Sequence, residues 1–383
     1  MIKTVGILGA GQLARMLAQA GQSMGLKFIF LDPAEDACAA ELGTHICAGW
    51  DDETALKQLA QGSDVVTFDF ENVPESSASL IESLCPVYPP PRALYKSQDR
   101  LREKTMMQEL GIEVAPFYPV SSRPELLAAV EKIGLPCVLK TRRFGYDGKG
   151  QAVLRFREDM ERAWQQLGDF ELICEGFVSF QSECSIIAAR GRDGQTVFWP
   201  LTHNLHRGGV LAISMVPAFD AQLQKRAETM IQSLLDHLDY TGVMALELFL
   251  VEGELLANEF APRVHNSGHW TIDGAHTSQF ENHLRAICGL PLGDASLSSP
   301  SVMFNLLGEM PAFARQQSAD SHSKLNLHWH DYHKTPREGR KIGHVTLTAG
   351  SESELKGMSA QLAGELGVAA ELDFEAIMTK SRA

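Results

Sequence analysis

The chain has 383 residues, 44% of them hydrophobic and 21% charged, enough for two or three domains with their own cores and too apolar for extended disorder. A net charge of −14 excludes non-specific binding to nucleic acid or an anionic membrane surface, so any anionic substrate has to be met by local basic clusters. Seven scattered cysteines without a Cys-x-x-Cys pair, an N-terminal apolar run broken by glycine, and no run long enough to span a membrane predict a cytoplasmic protein.

The predicted elements begin with a strand, Val5 to Leu8, then Gly9-Ala-Gly11-Gln-Leu-Ala14 opening a helix to about Gln22, and a second strand, Phe28 to Leu31, closed by Asp32. By itself this matches the dinucleotide-binding fingerprint; it predicts a Rossmann-like domain and keeps a nicotinamide-dependent oxidoreductase open. Gln12 and Leu13 stand at the helix start, where backbone N–H groups bind anions and sugar hydroxyls. The alternation continues through His45 to Ala48, a helix after Asp51-Asp52, and an apolar strand, Asp64 to Phe70. Glu71 follows that strand at the edge where open α/β sheets bind ligands, which makes it a candidate for ribose hydroxyls, the alternative being a capping acid ahead of Pro74. A proline-rich crossing, Cys85 to Arg92, ends a first domain of residues 1–95 and begins a second of 96–298.

Ser97 to Leu110 reads as one helix that opens with Asp99-Arg100, carries Lys104 and stops at Gly111. A strand, Leu135 to Leu139, then delivers Lys140 into the loop Lys140-Thr-Arg-Arg-Phe-Gly-Tyr-Asp-Gly-Lys-Gly-Gln151. Gly145, Gly148 and Gly150 let main-chain N–H groups approach a ligand closely, and Arg142, Arg143 and Lys149 add charge, so the segment suits closure over phosphate. Ala152 to Phe156, Glu158 to Leu167 and Glu171 to Cys174 read as strand, helix and strand. Farther on, Gly242 to Val251, the turn Glu252-Gly253 and Leu255 to Phe260 predict a hairpin symmetric about Gly253. Ala245, Glu247 and Phe249 would share one face, with Leu255, Ala257 and Glu259 facing them. Two carboxylates opposite each other among apolar neighbours repel, so the arrangement calls for a cation between Glu247 and Glu259, and magnesium with nucleotide phosphates fits.

A helix, Ala275 to Cys288, and a Gly/Pro/Ser-rich exit precede a small α+β unit, residues 299–383. There Lys334, Arg340 and Lys341 form a basic group suited to a substrate phosphate. His328, His330 and His333 raise zinc as an alternative, against which a β-type run spreads them over two faces.

The strand-borne Lys140, the glycine-rich flap, and Glu247 followed by Asn258-Glu259 resemble the ATP-grasp carboxylate–amine ligases. The blocks Tyr146-Asp-Gly-Lys-Gly-Gln151, Ala261-Pro-Arg-Val-His-Asn-Ser-Gly-His269 and Gly339-Arg-Lys-Ile-Gly-His344 resemble, over nearly the whole chain, the 5-(carboxyamino)imidazole ribonucleotide synthases within that superfamily. The resemblance implies a Rossmann-like pre-ATP-grasp domain, an ATP-grasp domain and a small C-terminal α+β domain. It implies ATP and Mg2+ as cofactors, 5-aminoimidazole ribonucleotide and bicarbonate as substrates, and a homodimer.

Carried onto this chain, nucleotide contacts fall to Arg100, Lys140, Gly145, Tyr146, Asp147, Gly148, Lys149, Gly150 and Gln151. They also fall to a hinge of Glu175, Gly176, Phe177 and Val178, in which the Glu side chain and main-chain groups hold the adenine edge. Glu183 takes the ribose by register, since the family usually has Glu at the position of Gln181; His206, Asn258 and Glu259 complete the nucleotide side. Glu247 and Glu259 hold the metal; Gln12, Leu13, Glu71, Asn266, Lys334, Arg340 and Lys341 hold the ribonucleotide; Lys140, Asp147, Arg263 and His265 serve the chemistry. A formate-dependent glycinamide ribonucleotide ligase of the same superfamily and a nucleotide-sensing module are the other readings the resemblance leaves open.

Overall fold

The computed structural model describes residues 2–145, 150–217, 219–311 and 326–368. The first domain folds as β1 (Thr4–Leu8), α1 (Gln12–Ser23), β2 (Lys27–Asp32), β3 (Thr44–Cys47), α2 (Glu53–Gly62), β4 (Val65–Phe68) and α3 (Glu75–Glu82). Its four strands are parallel in the order β3-β2-β1-β4, and β1 is buried from Val5 to Leu8, as a strand covered on both faces must be. Asp52 starts α2 by accepting hydrogen bonds from the Thr54 and Ala55 amides.

At the turn from β1 into α1, Gly9 has φ +111°, and a Cβ there would stand 1.6 Å from Asp69 Oδ1. Asp69, one residue beyond β4, accepts from the amides of Gly11 at 3.0 Å and Ala14 at 3.1 Å. Burial lifts its carboxyl to about 6, against the Ala14 amide, which lowers it. The positive end of α1, where a dinucleotide would place its pyrophosphate, is therefore filled by the protein's own carboxylate. The oxidoreductase alternative fails on this contact.

The helix expected over Ser97 to Leu110 is α5 (Arg100–Glu109), which starts three residues later, and a separate short helix, α4 (Pro91–Ser97), precedes it. Pro91 suits the first turn of α4, and Asp99 caps α5 through the Leu101 and Arg102 amides, so the chain leaves one helix and starts another at Gln98-Asp99. Next come β5 (Phe117–Val120), α6 (Arg123–Ile133), β6 (Cys137–Thr141), β7 (Gln151–Leu154), α7 (Asp159–Leu167) and β8 (Leu172–Gly176). They form an antiparallel sheet, β5-β8-β6-β7, sharing one apolar core with α6 and α7. Lys140 lies inside β6, paired with Gln151 on one side and Ile173 on the other, rather than past the end of the strand.

The remaining elements are β9 (Ser182–Arg190), β10 (Thr196–Phe198), β11 (Thr202–Arg207), β12 (Val210–Val216), α8 (Ala221–His237), β13 (Gly242–Val251), β14 (Glu254–Ala261), α9 (Thr271–Gly274), α10 (Gln279–Cys288), β15 (Ser301–Gly308), β16 (Asn326–Asp331), β17 (Arg337–Thr348) and α11 (Glu352–Glu365). The helix expected from Ala275 begins later, because Ser278 caps it by accepting from the Glu281 amide. All these strands belong to one sheet, β14-β13-β9-β11-β12-β15-β17-β16, with β10 on β9. Hydrogen bonding is continuous across residues 298–299, since β15 pairs with β12 from Ile213↔Phe304 to Val216↔Ser301. One face of the sheet packs with α8, and α1 and α10 share a core with Ile187, Val243 and Ala245, which joins the first domain to the second.

Gly9→Ala must move Asp69 off the α1 amides. It is expected to lower unfolding stability by about 2 kcal/mol or more, the scale of a steric clash combined with a lost buried hydrogen bond. An unchanged calorimetric midpoint would show that the turn tolerates the methyl.

Candidate active site

The hairpin of β13 and β14 turns on Glu252-Gly253, both at positive φ (52° and 82°) as a two-residue hairpin turn requires. From that turn Leu250 pairs with Leu255 and Leu248 with Ala257, one residue out of the predicted symmetry. An irregularity between Glu247 and Leu248 leaves Asn258 as an extra residue, and beyond it Glu247 stands opposite Glu259. Leu255 and Ala257 thus do not share the face of Glu259. They join Leu246, Leu248 and Leu250 in the core beneath α8, while the two glutamates emerge on the other face. The expected pairing exists, but a bulge produces it.

Each carboxylate meets a cationic or proton-donating partner. Arg100 Nη1 donates to Glu259 Oε2 at 2.7 Å, and His265 Nε2 lies 3.0 Å from Glu247 Oε1. Burial pushes Glu259 up, yet the Arg100 guanidinium outweighs it and holds the carboxyl down at about 2. Lys140 Nζ donates to Glu175 at 2.8 Å, and Lys104, 1% exposed, approaches the same carboxylate at 3.5 Å while donating to Asn258 O at 3.0 Å. Burial lowers the Lys140 ammonium despite Glu175, and burial raises the neighbouring Glu103 well above the carboxylate range despite the bond from the Phe260 amide. Lys104, Lys140 and Arg100 thus gather around Glu175 and Glu259, an arrangement that phosphate oxygens can join.

The expected hinge is partly committed inside the protein. The Glu175 carboxylate points to the two lysines and not to the edge of the loop, and the amides of Gly176 and Phe177 donate to Pro116 O and Pro136 O. Val178 is half-buried beside the exposed Phe177. Arg142 is likewise no phosphate arm: its guanidinium clamps Asp99 through Nε at 3.0 Å and Nη2 at 2.5 Å, tying the base of the flap to the cap of α5. Gly145 O accepts from Arg100 at 3.2 Å, and Gly150 O accepts from the Thr141 amide. Tyr146, Asp147, Gly148 and Lys149 lie outside the described residues. Glu183 and His206 face each other at 2.9 Å; burial lowers the His206 imidazole, but Glu183 outweighs that and raises it.

Residues far apart in sequence converge on the other wall. Arg263 donates to Glu71 at 2.7 Å, joining the ends of β14 and β4, and Lys334 donates to Gln12 Oε1. Burial lowers the Lys334 ammonium. Leu13 turns its side chain into the core, so only its main chain can face a ligand. Asn266 is buried with both amide atoms unpartnered, which is the state of a side chain built to bind something. Arg340 donates to Thr335 O on the β16–β17 connection, and Lys341 pairs with Leu307 across the sheet. His328 and His330 both turn to Asp273, at 3.5 and 2.8 Å, whereas His333 turns to Glu41 at 3.1 Å, so the three do not converge on one zinc position.

This geometry is shared with known proteins. Family models match at residues 2–98 (ribonucleotide synthetase preATP-grasp domain), 105–280 (ATP-grasp domain) and 301–357 (phosphoribosylaminoimidazole carboxylase C-terminal domain). The N5-carboxyaminoimidazole ribonucleotide synthase of Pseudomonas aeruginosa is 48% identical over 358 residues, 94% of this chain and 98% of the relative. The chain belongs to the N5-carboxyaminoimidazole ribonucleotide synthases. These are ATP-grasp ligases that carboxylate 5-aminoimidazole ribonucleotide with ATP in purine biosynthesis. The crystal structure of the Thermus thermophilus synthetase superposes with a TM-score of 0.90 at 47% identity, covering 96% of this chain and 99% of that one. An Aspergillus clavatus synthase crystallised with ADP and 5-aminoimidazole ribonucleotide is 28% identical, with a TM-score of 0.87 over 95% of this chain and 98% of its own.

Asp69, Asp99 and Lys104 are the site residues that sequence reasoning passed over or left without a role. Asp99 carried a capping signal; nothing local marked the other two.

Glu259→Gln is expected to abolish turnover and, because it strands the Arg100 guanidinium, to lower the thermal midpoint of the ligand-free protein at neutral pH. A carboxyl held below its ordinary 4.5 contributes stability above that pH and loses it as pH falls toward 2, so the gap between parent and variant should close on acidification. Equal midpoints at pH 7 would show that the Arg100 pair contributes nothing.

Proposed function

We propose that this chain activates bicarbonate with ATP in one cleft and transfers the carboxyl group to the amine of 5-aminoimidazole ribonucleotide, releasing ADP and phosphate. The observation that carries this reading is convergence. Lys334–Gln12 and Arg263–Glu71 bring the C-terminal and N-terminal regions to one wall, and Lys140, Arg100, Glu247 and Glu259 form the facing wall.

The donor set fits a magnesium ion: two adjacent carboxylates from one hairpin, each with an exchangeable partner in Arg100 or His265. Glu247 and Glu259 would hold such an ion, which would neutralise charge on the transferred phosphoryl group. Lys140, Lys104 and Arg100 supply the rest of the positive field, and the 141–151 flap, with Tyr146, Asp147, Gly148 and Lys149, closes over the nucleotide and keeps water from the labile acyl phosphate. Glu183 and His206 border the nucleotide ribose, with Gln151 at the foot of the flap. Lys334, Arg340 and Lys341 take the substrate phosphate, Glu71 and the Gln12–Leu13 main chain its ribose, and Asn266 its base or amine. Arg263 and His265 hold the small anion. The carboxyl donor is a free anion that ATP activates. A cytoplasmic homodimer is the assembly the resemblance supports, which sedimentation at working concentration checks.

ADP release with 5-aminoimidazole ribonucleotide is expected to require bicarbonate, with labelled carbon appearing in an acid-labile product. Collapse of that ADP release in bicarbonate-free buffer, unrelieved by formate, is the expected control; rescue by formate with glycinamide ribonucleotide would move the assignment to the sister ligase. Lys334→Ala is expected to raise the KM for the ribonucleotide about ten- to a hundredfold, the scale of one charge-assisted phosphate contact, and to leave that for ATP unchanged. A shift in the ATP constant instead would place the two substrates in the wrong halves of the cleft.

A further inference from the structure

The β16–β17 connection that carries Lys334 is gripped from the start of α1 at two consecutive residues. Lys334 Nζ donates to Gln12 Oε1. His333 Nδ1 lies 3.1 Å from Glu41 Oε1, and the same carboxylate oxygen accepts from Arg15 Nη1 at 2.5 Å. Gln12 and Arg15 stand three residues apart in α1, so both contacts leave one face of that helix. One loop residue is held directly and its neighbour through Glu41.

The inner end of this relay is fixed. Arg15 is 4% exposed, and its Nη1 also donates to Cys38 O at 2.7 Å. The Ala39 amide donates to Ala10 O at 3.0 Å, so the segment that presents Glu41 is tied to the turn from β1 into α1. The outer end is constrained in its backbone. His333 has φ +56°, in the left-handed region that glycine occupies freely and a side chain disfavours. Its main-chain N–H donates to Asp331 Oδ1 at 2.7 Å, which closes the bend. A loop whose only task is to join two strands gains nothing from an imidazole at such a position, where glycine would relieve the backbone. Residues held in this region against their preference mark places where the surrounding structure needs them, and here the ring meets Glu41.

We propose that Arg15, Glu41 and His333 are positioning residues that set Lys334 for the ribonucleotide phosphate, so that α1 fixes where that phosphate is held. This deepens the proposed function and rests on its assignment of Lys334 to the phosphate. The lysine stem is flexible, and its charge is useful only where it is aimed. Lys334 Nζ stands 5.8 Å from the centroid of the buried Tyr332 ring, and Gln12 gives it a place without cancelling its charge, which leaves the ammonium able to meet an anion. The Arg15–Glu41–His333 relay holds the main chain from which that stem departs. Its contribution is to the location of the loop, since an ion pair between two side chains as exposed as Glu41 and His333 adds little to overall stability.

Steady-state kinetics and hydrogen exchange of the full-length protein test this. Glu41→Ala is expected to raise the KM for 5-aminoimidazole ribonucleotide about two- to fivefold, the scale on which an exposed ion pair matters, with kcat and the KM for ATP unchanged. Because Glu41 acts through Lys334, the double variant Glu41→Ala/Lys334→Ala is expected to have the same ribonucleotide KM as Lys334→Ala alone. His333→Gly relieves the backbone and removes the ring; it is expected to keep or raise the thermal midpoint and still to raise the ribonucleotide KM as Glu41→Ala does, a split that a merely structural role would not give. Amide exchange over residues 331–335 of the ligand-free protein should quicken in Glu41→Ala, with the β15–β17 pairing unaffected. A ribonucleotide KM equal to the parent's in Glu41→Ala, a further rise in the double variant over Lys334→Ala, or unchanged exchange over 331–335 would overturn the proposal. ADP release in the parent protein that does not depend on the ribonucleotide would instead overturn the functional reading, and the exchange result would then decide the relay by itself.

Discussion

Two carboxylates held side by side across one strand pair are the constraint on which this site depends. Glu247 and Glu259 would repel at that spacing in a half-buried setting, and the protein answers with Arg100 on one and His265 on the other. The answer couples distant parts of the fold. Arg100 begins α5, whose cap Asp99 is clamped by Arg142, so the position of Glu259 is tied to the loop that follows β6 through two ion pairs and the start of α5.

The cations of the ligand-free cleft are held in reserve rather than left open. Lys140 and Lys104 both turn to Glu175, Arg100 to Glu259, and Arg263 to Glu71. Each of these cations already has a charged partner, so none is left as a bare buried ammonium or guanidinium in the ligand-free protein. The same economy appears at α1, where Asp69 occupies a helix N-terminus that unrelated folds give to a dinucleotide. With that position filled, Gln12 at the start of α1 turns its side chain to Lys334.

The large sheet makes these walls one body. Because β15 adds to β12 and β17 to β15, the basic residues of the C-terminal region are carried on the same hydrogen-bonded surface as Glu247. The helices α1 and α10 share a core with that sheet, so the N-terminal domain and the C-terminal strands are both positioned against it.

Much of this was legible in the residues alone. The βα alternation and the hairpin turn at Glu252-Gly253 rest on local signals, hydrophobic period and turn chemistry, and the resemblance to the ATP-grasp ligases rests on motifs of specific residue types. What only tertiary structure decided depends on contacts between segments remote in sequence. A one-residue bulge at Asn258 cannot be seen in a period-two pattern, yet it reverses the phase of β14 and is the reason the two glutamates meet. The partner of Asp69 is a helix 55 residues earlier, the burial of Lys104 comes from strands far along the chain, and the buried line Ser214–Asn204–Ser185–Ser267 runs over three strands to the turn after β14. A side chain's type fixes which hydrogen bonds and charges it can offer; which of them it uses is settled by the neighbours that long-range packing brings to it.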